Sequence, residues 1–253
     1  VIRNSFIFLS GIGECRERWL WERGVLTWEE FLGRERIGWM SSEWKRRLER
    51  EIEEAERSLE LGDSCFFGRR MPVREHWRLY GDLKGGVRFL DIETTGLRQG
   101  RDEVTVVGVY DGGEYRAYIR GLNLTREALE RELEGCTLLV TFNGTRFDVP
   151  FLRARLGVRV EVPHADLCSA SRRLGLRGGM KVVEAALGLE REEEIAGVDG
   201  AEAVRLWRRW ERRGEREALE TLVEYNRRDV LNLLPIAEYV YSELRARMLP
   251  LDG

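Results

Sequence analysis

Between Ser42 and Leu61 apolar side chains recur at Trp44, Leu48, Ile52, Ala55 and Leu59 on a charged background, which predicts an amphipathic helix stopped by Gly62. Past residue 85 the pattern changes. Val87-Arg88-Phe89-Leu90 is a short apolar run of the buried-strand kind. Glu103 to Tyr110 and Glu114 to Arg120 face each other across Asp111-Gly112-Gly113 as a hairpin, Thr125 to Leu133 is a short amphipathic helix, and Thr137 to Phe142 is a further strand. The clearest helix runs from about Glu215 to Leu233, with Leu219, Leu222, Val223, Val230 and Leu233 as its apolar stripe. Pro235 is expected to end or kink it ahead of a last helix, Ile236 to Met248. This order predicts an α/β fold, a mixed β-sheet flanked by helices over residues 85–253, preceded by a small helical region at 1–62 and a connector at 63–84 anchored by Trp77 and Tyr80.

Acidic residues mark the ends of these elements. Asp91 and Glu93 continue the Val87 run two residues apart, so both project to one face of a strand while Ile92 packs the other way. Two adjacent carboxylates repel unless a cation lies between them, and oxygen-only ligands favour magnesium or manganese. Taken alone, the pair reads better as a strand end with two solvated acids. Asp148 precedes the helix-like Val149-Pro150-Phe151-Leu152, where a helix cap is the simpler reading. Tyr225 and Asp229 are four apart on one helix face and could form a structural hydrogen-bonded pair. Three separate explanations are then needed, whereas one metal site accounts for all of them.

These segments, Phe89-Leu90-Asp91-Ile92-Glu93-Thr94-Thr95-Gly96-Leu97, Phe142-Asn143-Gly144 with Phe147-Asp148-Val149-Pro150-Phe151-Leu152, and Tyr225-Asn226 with Asp229-Val230, resemble the three exonuclease motifs of the DEDD superfamily, in the DnaQ-like branch of the RNase H fold. The likeness is nearest to YprB-type RNase H-like proteins. It extends to Val106-Val107-Gly108-Val109-Tyr110, His164-Ala165-Asp166-Leu167, Lys181 with Glu184, Leu187-Gly188, and Ala201 to Trp207. The resemblance implies an RNase H-like fold over roughly residues 85–240. It also implies a tyrosine-subtype 3′–5′ exonuclease releasing 5′-mononucleotides, with Asp91, Glu93, Asp148 and Asp229 as metal-binding acids and Tyr225 beside them. Neither His76 nor His164 stands just before Asp229, which disfavours the histidine subtype. Two ions, Mg2+ or Mn2+, are the expected cofactors; a pair about 3.5–4 Å apart activates water and stabilises the leaving oxygen. Tyr225 suits the orientation of water better than strong base catalysis, since a phenol ordinarily titrates near about 10.

The backbone at Thr94 and Thr95 is expected to meet the terminal sugar, and Asn143 and Phe147 the last bases, although Phe147 reads equally well as core. Asp166 is expected to cap a helix and His164 to be structural. Arg172, Arg173, Arg177 and Lys181 form a basic stretch around Gly178-Gly179.

Near the start, Phe8-Leu9-Ser10-Gly11-Ile12-Gly13 followed by Leu20-Trp21 and Gly24-Val25-Leu26 resembles part of a helix-hairpin-helix, whose turn, at Gly11 and Gly13, presents amides to phosphate. It departs from that motif in Val1 to Phe6, which reads as strand. The module tilts the expected substrate toward single-stranded DNA over RNA, or offers a surface to a repair or replication protein. An exoribonuclease, or a non-catalytic nucleic-acid-binding adaptor, is the alternative on the same fold.

The 253 residues carry 42 Lys and Arg against 45 Asp and Glu, a net charge of −3, which argues against a strong nonspecific polyanion binder but not against an enzyme whose metals neutralise its acidic centre. Cys15, Cys65, Cys136 and Cys168 show no Cys-x-x-Cys spacing, so neither zinc ribbon nor disulfide framework is indicated. No long apolar segment suggests a membrane, and the cytoplasm is the expected compartment.

Overall fold

The computed structural model describes residues 1–189 and 198–248; the final five residues of the region predicted at 85–253 lie outside the described residues. Strand β1 (Val87–Thr94) is buried along most of its length, as its continuous apolar run requires of a central strand. It pairs antiparallel with β2 (Val104–Tyr110), which pairs antiparallel with β3 (Tyr115–Ile119) across the predicted hairpin. On its other side β1 runs parallel to β4 (Leu138–Thr141), and β4 runs parallel to β5 (His164–Asp166). The five-stranded sheet therefore has the order β3-β2-β1-β4-β5, a mixed RNase H-like sheet flanked by helices. Its register shifts between Glu93 and Thr94, a bulge of the kind that re-aims side chains next to functional sites.

One correction concerns the last helix. Arg216–Met248 is a single 33-residue helix with Pro235 inside it, and no break separates Ile236 from what precedes. Proline removes one backbone donor and crowds the turn before it. Against that, Leu222, Val230, Leu233, Ile236, Val240 and Leu244 are all buried along the helix. Each such side chain contributes about 1.5–3 kcal/mol, so tertiary burial outweighs the proline. The helix Ser42–Glu60 matches its sequence pattern: Ser41 caps it, Leu48, Ile52 and Ala55 are buried, and Gly62 has φ +69° beyond its end.

The N-terminal segment is the second correction. Ile2–Asn4 is one 3-10 turn, not a strand, and no α-helix precedes Gly11. The amides of Phe6 and Ile7 both donate to Glu17 Oε1, at 2.7 and 3.0 Å, which takes them out of any sheet or helix ladder. Glu17 is itself buried and accepts Arg78 Nη1 at 2.9 Å on each carboxylate oxygen; Arg78 Nε donates to Glu75 at 2.7 Å, and Arg173 reaches Glu75 at 2.9 Å. This buried charge network ties the first helix, Glu14–Trp21, to the stretch before β1 and to the helix Leu167–Arg173. One apolar core runs continuously from Ile2 and Phe6 through Trp77 and Phe89 to Leu244. Residues 63–84 contain the helix Ser64–Arg70 and the 3-10 segment Val73–Leu79, with Trp77 and Tyr80 buried as expected.

Candidate metal centre

Pleating sets the two acids of β1 on the face away from Ile92, which packs into the core with Leu90, Val107 and Phe151. Above them lies the long helix, whose buried face carries Tyr225, Asn226 and Asp229. Asp91, Glu93 and Asp229 each offer a carboxylate oxygen such that all three atoms lie within 4.8 Å of one another. Residues 136 positions apart in sequence thus meet because β1 is central and the helix crosses it.

Asp148 stands beside this group. It begins the short helix Asp148–Phe151 but is not its cap; Oδ1 instead accepts the amide of Ile92 at 3.2 Å, fastening the motif to β1. The acids feel one another. Burial first, and then Asp148, Glu93 and Asp229, hold the Asp91 carboxyl well above the ordinary range. Glu93 is raised by burial, Asp229 and Asp148, and burial pushes Asp148 up to about 7. Tyr225 is raised too, by burial and then by Asp229, with which it shares a hydrogen bond. Ionised, these carboxylates repel at close quarters. An all-oxygen donor set of this charge fits a hard divalent cation such as magnesium or manganese.

Sequence reasoning gave no role to the residue that positions Asp91. Asn226 is fully buried; its Nδ2 donates to Asp91 Oδ2 at 3.0 Å, and its Oδ1 accepts the hydroxyl of Tyr115, on β3, at 2.9 Å. Gly108 lies opposite Asp91 in β2, and a Cβ there would come within 2.0 Å of Asn226 Oδ1, so only glycine leaves the amide room. The adjacency of Asn226 to Tyr225 was a signal; its contacts with β1 and β3 were not visible without the fold.

A cleft of about 570 Å³ opens on the acids, lined by Asp91, Glu93, Thr94, Leu97, Phe147 and Tyr225, with Ala201 and Val204 opposite. Phe147 both lines the cleft and packs on Phe151, ring centroids 4.8 Å apart. Thr94 lines it as well, whereas the amide of Thr95 donates to the carbonyl of Glu103 at 2.9 Å. Asn143 has φ +65° and its amide donates to Asp166 Oδ1 at 2.8 Å. Asp166 caps Leu167–Arg173 and His164 contacts Thr141 Oγ1 at 2.8 Å, both in structural roles. Lys181 Nζ lies 5.8 Å from the Tyr225 ring centroid, while Arg173 is drawn away to Glu75. Gly11 and Gly13 are exposed in the N-terminal region, outside the cleft; the neighbouring amide of Ser10 already donates to Glu51 at 2.7 Å.

A β3-β2-β1-β4-β5 sheet with carboxylates gathered on its central strand and on a crossing helix is an RNase H-like arrangement. Residues 88–241 match the RNase_H_2 family, described as RNase_H superfamily, and the chain belongs to that superfamily. Among solved structures, it is similar to a nuclease in its apo form (24% identity, TM-score 0.50), over 64% of this chain and 74% of that one. It is also similar to the family B DNA polymerase of the hyperthermophilic archaeon Pyrobaculum calidifontis (19% identity, TM-score 0.50), over 61% of this chain and 24% of the polymerase. Brucella melitensis NrnC aligns at 22% identity and TM-score 0.48, over 64% and 75%. At these identities the likeness is one of fold. No curated protein matches the chain. Among the described residues no helix is long and apolar enough to cross a membrane.

Proposed function

We propose that the protein is a metal-dependent 3′–5′ exonuclease acting on single-stranded DNA. The observation that supports this most is the convergence of Asp91, Glu93 and Asp229 within 4.8 Å, with Asp148 and Tyr225 alongside. Asp91, Glu93, Asp148 and Asp229 would hold two Mg2+ or Mn2+ ions. When bound, such ions lower the pKa of water and offset charge on the departing oxygen. The chain's own residues do the rest. Asn226 fixes the Asp91 carboxylate, the Ile92 amide fixes Asp148, and Tyr225, protonated at neutral pH, orients a water by hydrogen bonding. Phe147 is placed to stack against a terminal base and Thr94 to meet its sugar. Polarity, end preference and the tyrosine subtype come from the motif resemblance. DNA is favoured over RNA by the exposed turn at Gly11 and Gly13, which resembles part of a helix-hairpin-helix.

The test gives 3′- and 5′-labelled DNA and RNA oligomers to the purified protein with magnesium or manganese. Mononucleotides released stepwise from DNA 3′ ends, and lost in Asp91→Ala, are expected. RNA degraded in preference to DNA would make the protein an exoribonuclease; equal release by Asp91→Ala would remove the site assignment.

A further inference from the structure

The helix Gly200–Arg213 leads away from the cleft, and its sides are sharply different. Ala203, Leu206 and Trp207 are buried against the body of the protein. Ala201 and Val204, at its beginning, form one wall of the cleft. Continuing from them at three- and four-residue spacings are Arg205, Arg208 and Arg212, all exposed. Arg208 and Arg212 sit one turn apart, and Arg212 is roughly 16 Å along the axis from Ala201. The helix carries two acids, Glu202 and Glu211; the exposed Glu211 stands one turn beyond Arg208, on the side of Val204. Glu202 is engaged by Arg205, while Glu215, beyond the helix, collects Arg209 and Arg213 at 2.7 and 3.4 Å. Arg208 and Arg212 make no ion pair with a described residue, so two guanidinium groups face solvent on the line that runs out of the cleft.

We propose that this face is a docking track for the phosphodiester backbone of single-stranded DNA, holding the 5′-ward part of the strand whose 3′ end occupies the cleft. The inference rests on the proposed nuclease reading for the direction of the strand. Two features point to the occupant: continuity of the face with the cleft wall at Ala201 and Val204, and charge complementarity between phosphates and guanidinium groups that pair with no described acid, on a protein whose net charge is −3. Such a track supplies the local positive surface that overall composition does not. Because Arg208 and Arg212 lie beyond the acids, they bear on long substrates more than on short ones.

Binding is read by fluorescence anisotropy on the full chain carrying Asp91→Ala, so that cleavage does not intervene. Adding Arg208→Glu and Arg212→Glu is expected to weaken oligo(dT) of thirty nucleotides about tenfold, weaken a trinucleotide far less, and flatten the log affinity against log salt slope by about 1.4, two phosphate contacts' worth on a single strand. Arg208→Lys with Arg212→Lys should restore the slope, which also separates the effect from misfolding. Unchanged binding of the long oligomer, or equal weakening of long and short, would overturn the track. An effect confined to oligo(rU) would overturn its assignment to DNA. A wild type without nuclease activity would sink the catalytic reading while leaving this binding result intact.

Discussion

Asn226 Nδ2 donates to Asp91 Oδ2 at 3.0 Å, bringing a neutral amide from the long helix onto the carboxylate at the centre of the acidic group. Metal-site carboxylates depend on such partners for orientation, and loss of one typically weakens metal affinity about 10–100-fold. Asn226→Ala should therefore raise the magnesium concentration needed for half-maximal activity by about that factor. The check is a magnesium titration at saturating substrate; an unaltered curve would show that Asp91 is held by its strand alone.

Gly108→Ala attacks the same contact from beneath. The new methyl would lie within 2.0 Å of Asn226 Oδ1 and 2.9 Å of both Tyr115 and Val230. Overpacking of this sort costs about 1–3 kcal/mol. Because the clash is partly with the Asn226 amide, Gly108→Ala combined with Asn226→Ala should destabilise by less than the sum of the two singles in urea unfolding. Simple additivity would count against the crowding.

How much of this was legible beforehand follows from what periodicity encodes. Alternation along β1 was enough to put Asp91 and Glu93 on one face, and four-residue spacing enough to join Tyr225 to Asp229. Strand boundaries and the Ser42 helix were visible for the same reason. Asn226 escaped because its two partners lie on β1 and β3, more than a hundred positions away. Pro235 misled because local propensity knows nothing of the apolar surface that the helix covers. At the N-terminus Val1 to Phe6 looked like strand; Ile2–Asn4 is a 3-10 turn, and a buried carboxylate from Glu17 claims the amides of Phe6 and Ile7.

Acidity should couple to stability. Asp91 and Glu93 titrate above their usual range and Asp148 near about 7, each chiefly because burial disfavours the charged form. A carboxyl with a native pKa above its unfolded one stabilises fully below the unfolded value and loses that contribution as pH rises through the native value. In chelator, the melting temperature should fall between about pH 5 and pH 8. Magnesium should reverse the fall, with a larger shift at the higher pH. Differential scanning fluorimetry decides it, and a magnesium shift that is equal at both pH values would contradict the assignment of these acids.

Arg78 sits between two buried carboxylates, Glu17 and Glu75. Arg78→Ala leaves Glu17 buried with no cation beside it and Glu75 with Arg173 as its close partner, and stranding a buried charge in this way typically destabilises by about 3–5 kcal/mol. Urea unfolding followed by tryptophan fluorescence and by far-ultraviolet circular dichroism should show one shared transition at lower denaturant, since a continuous core joins residues 2 to 244. Loss of the tryptophan signal well before the helical signal would mean instead that the N-terminal region melts alone.

The 33-residue helix has a mechanical consequence. From Asp229, near its middle, to Met248 it spans roughly 28 Å, and toward that C-terminal end Tyr241 and Leu244 are seated against Trp77 and the N-terminal core. It acts as a strut with its footing in the N-terminal segment, so trimming that segment would loosen the far wall of the acidic cluster without removing any of its carboxylates.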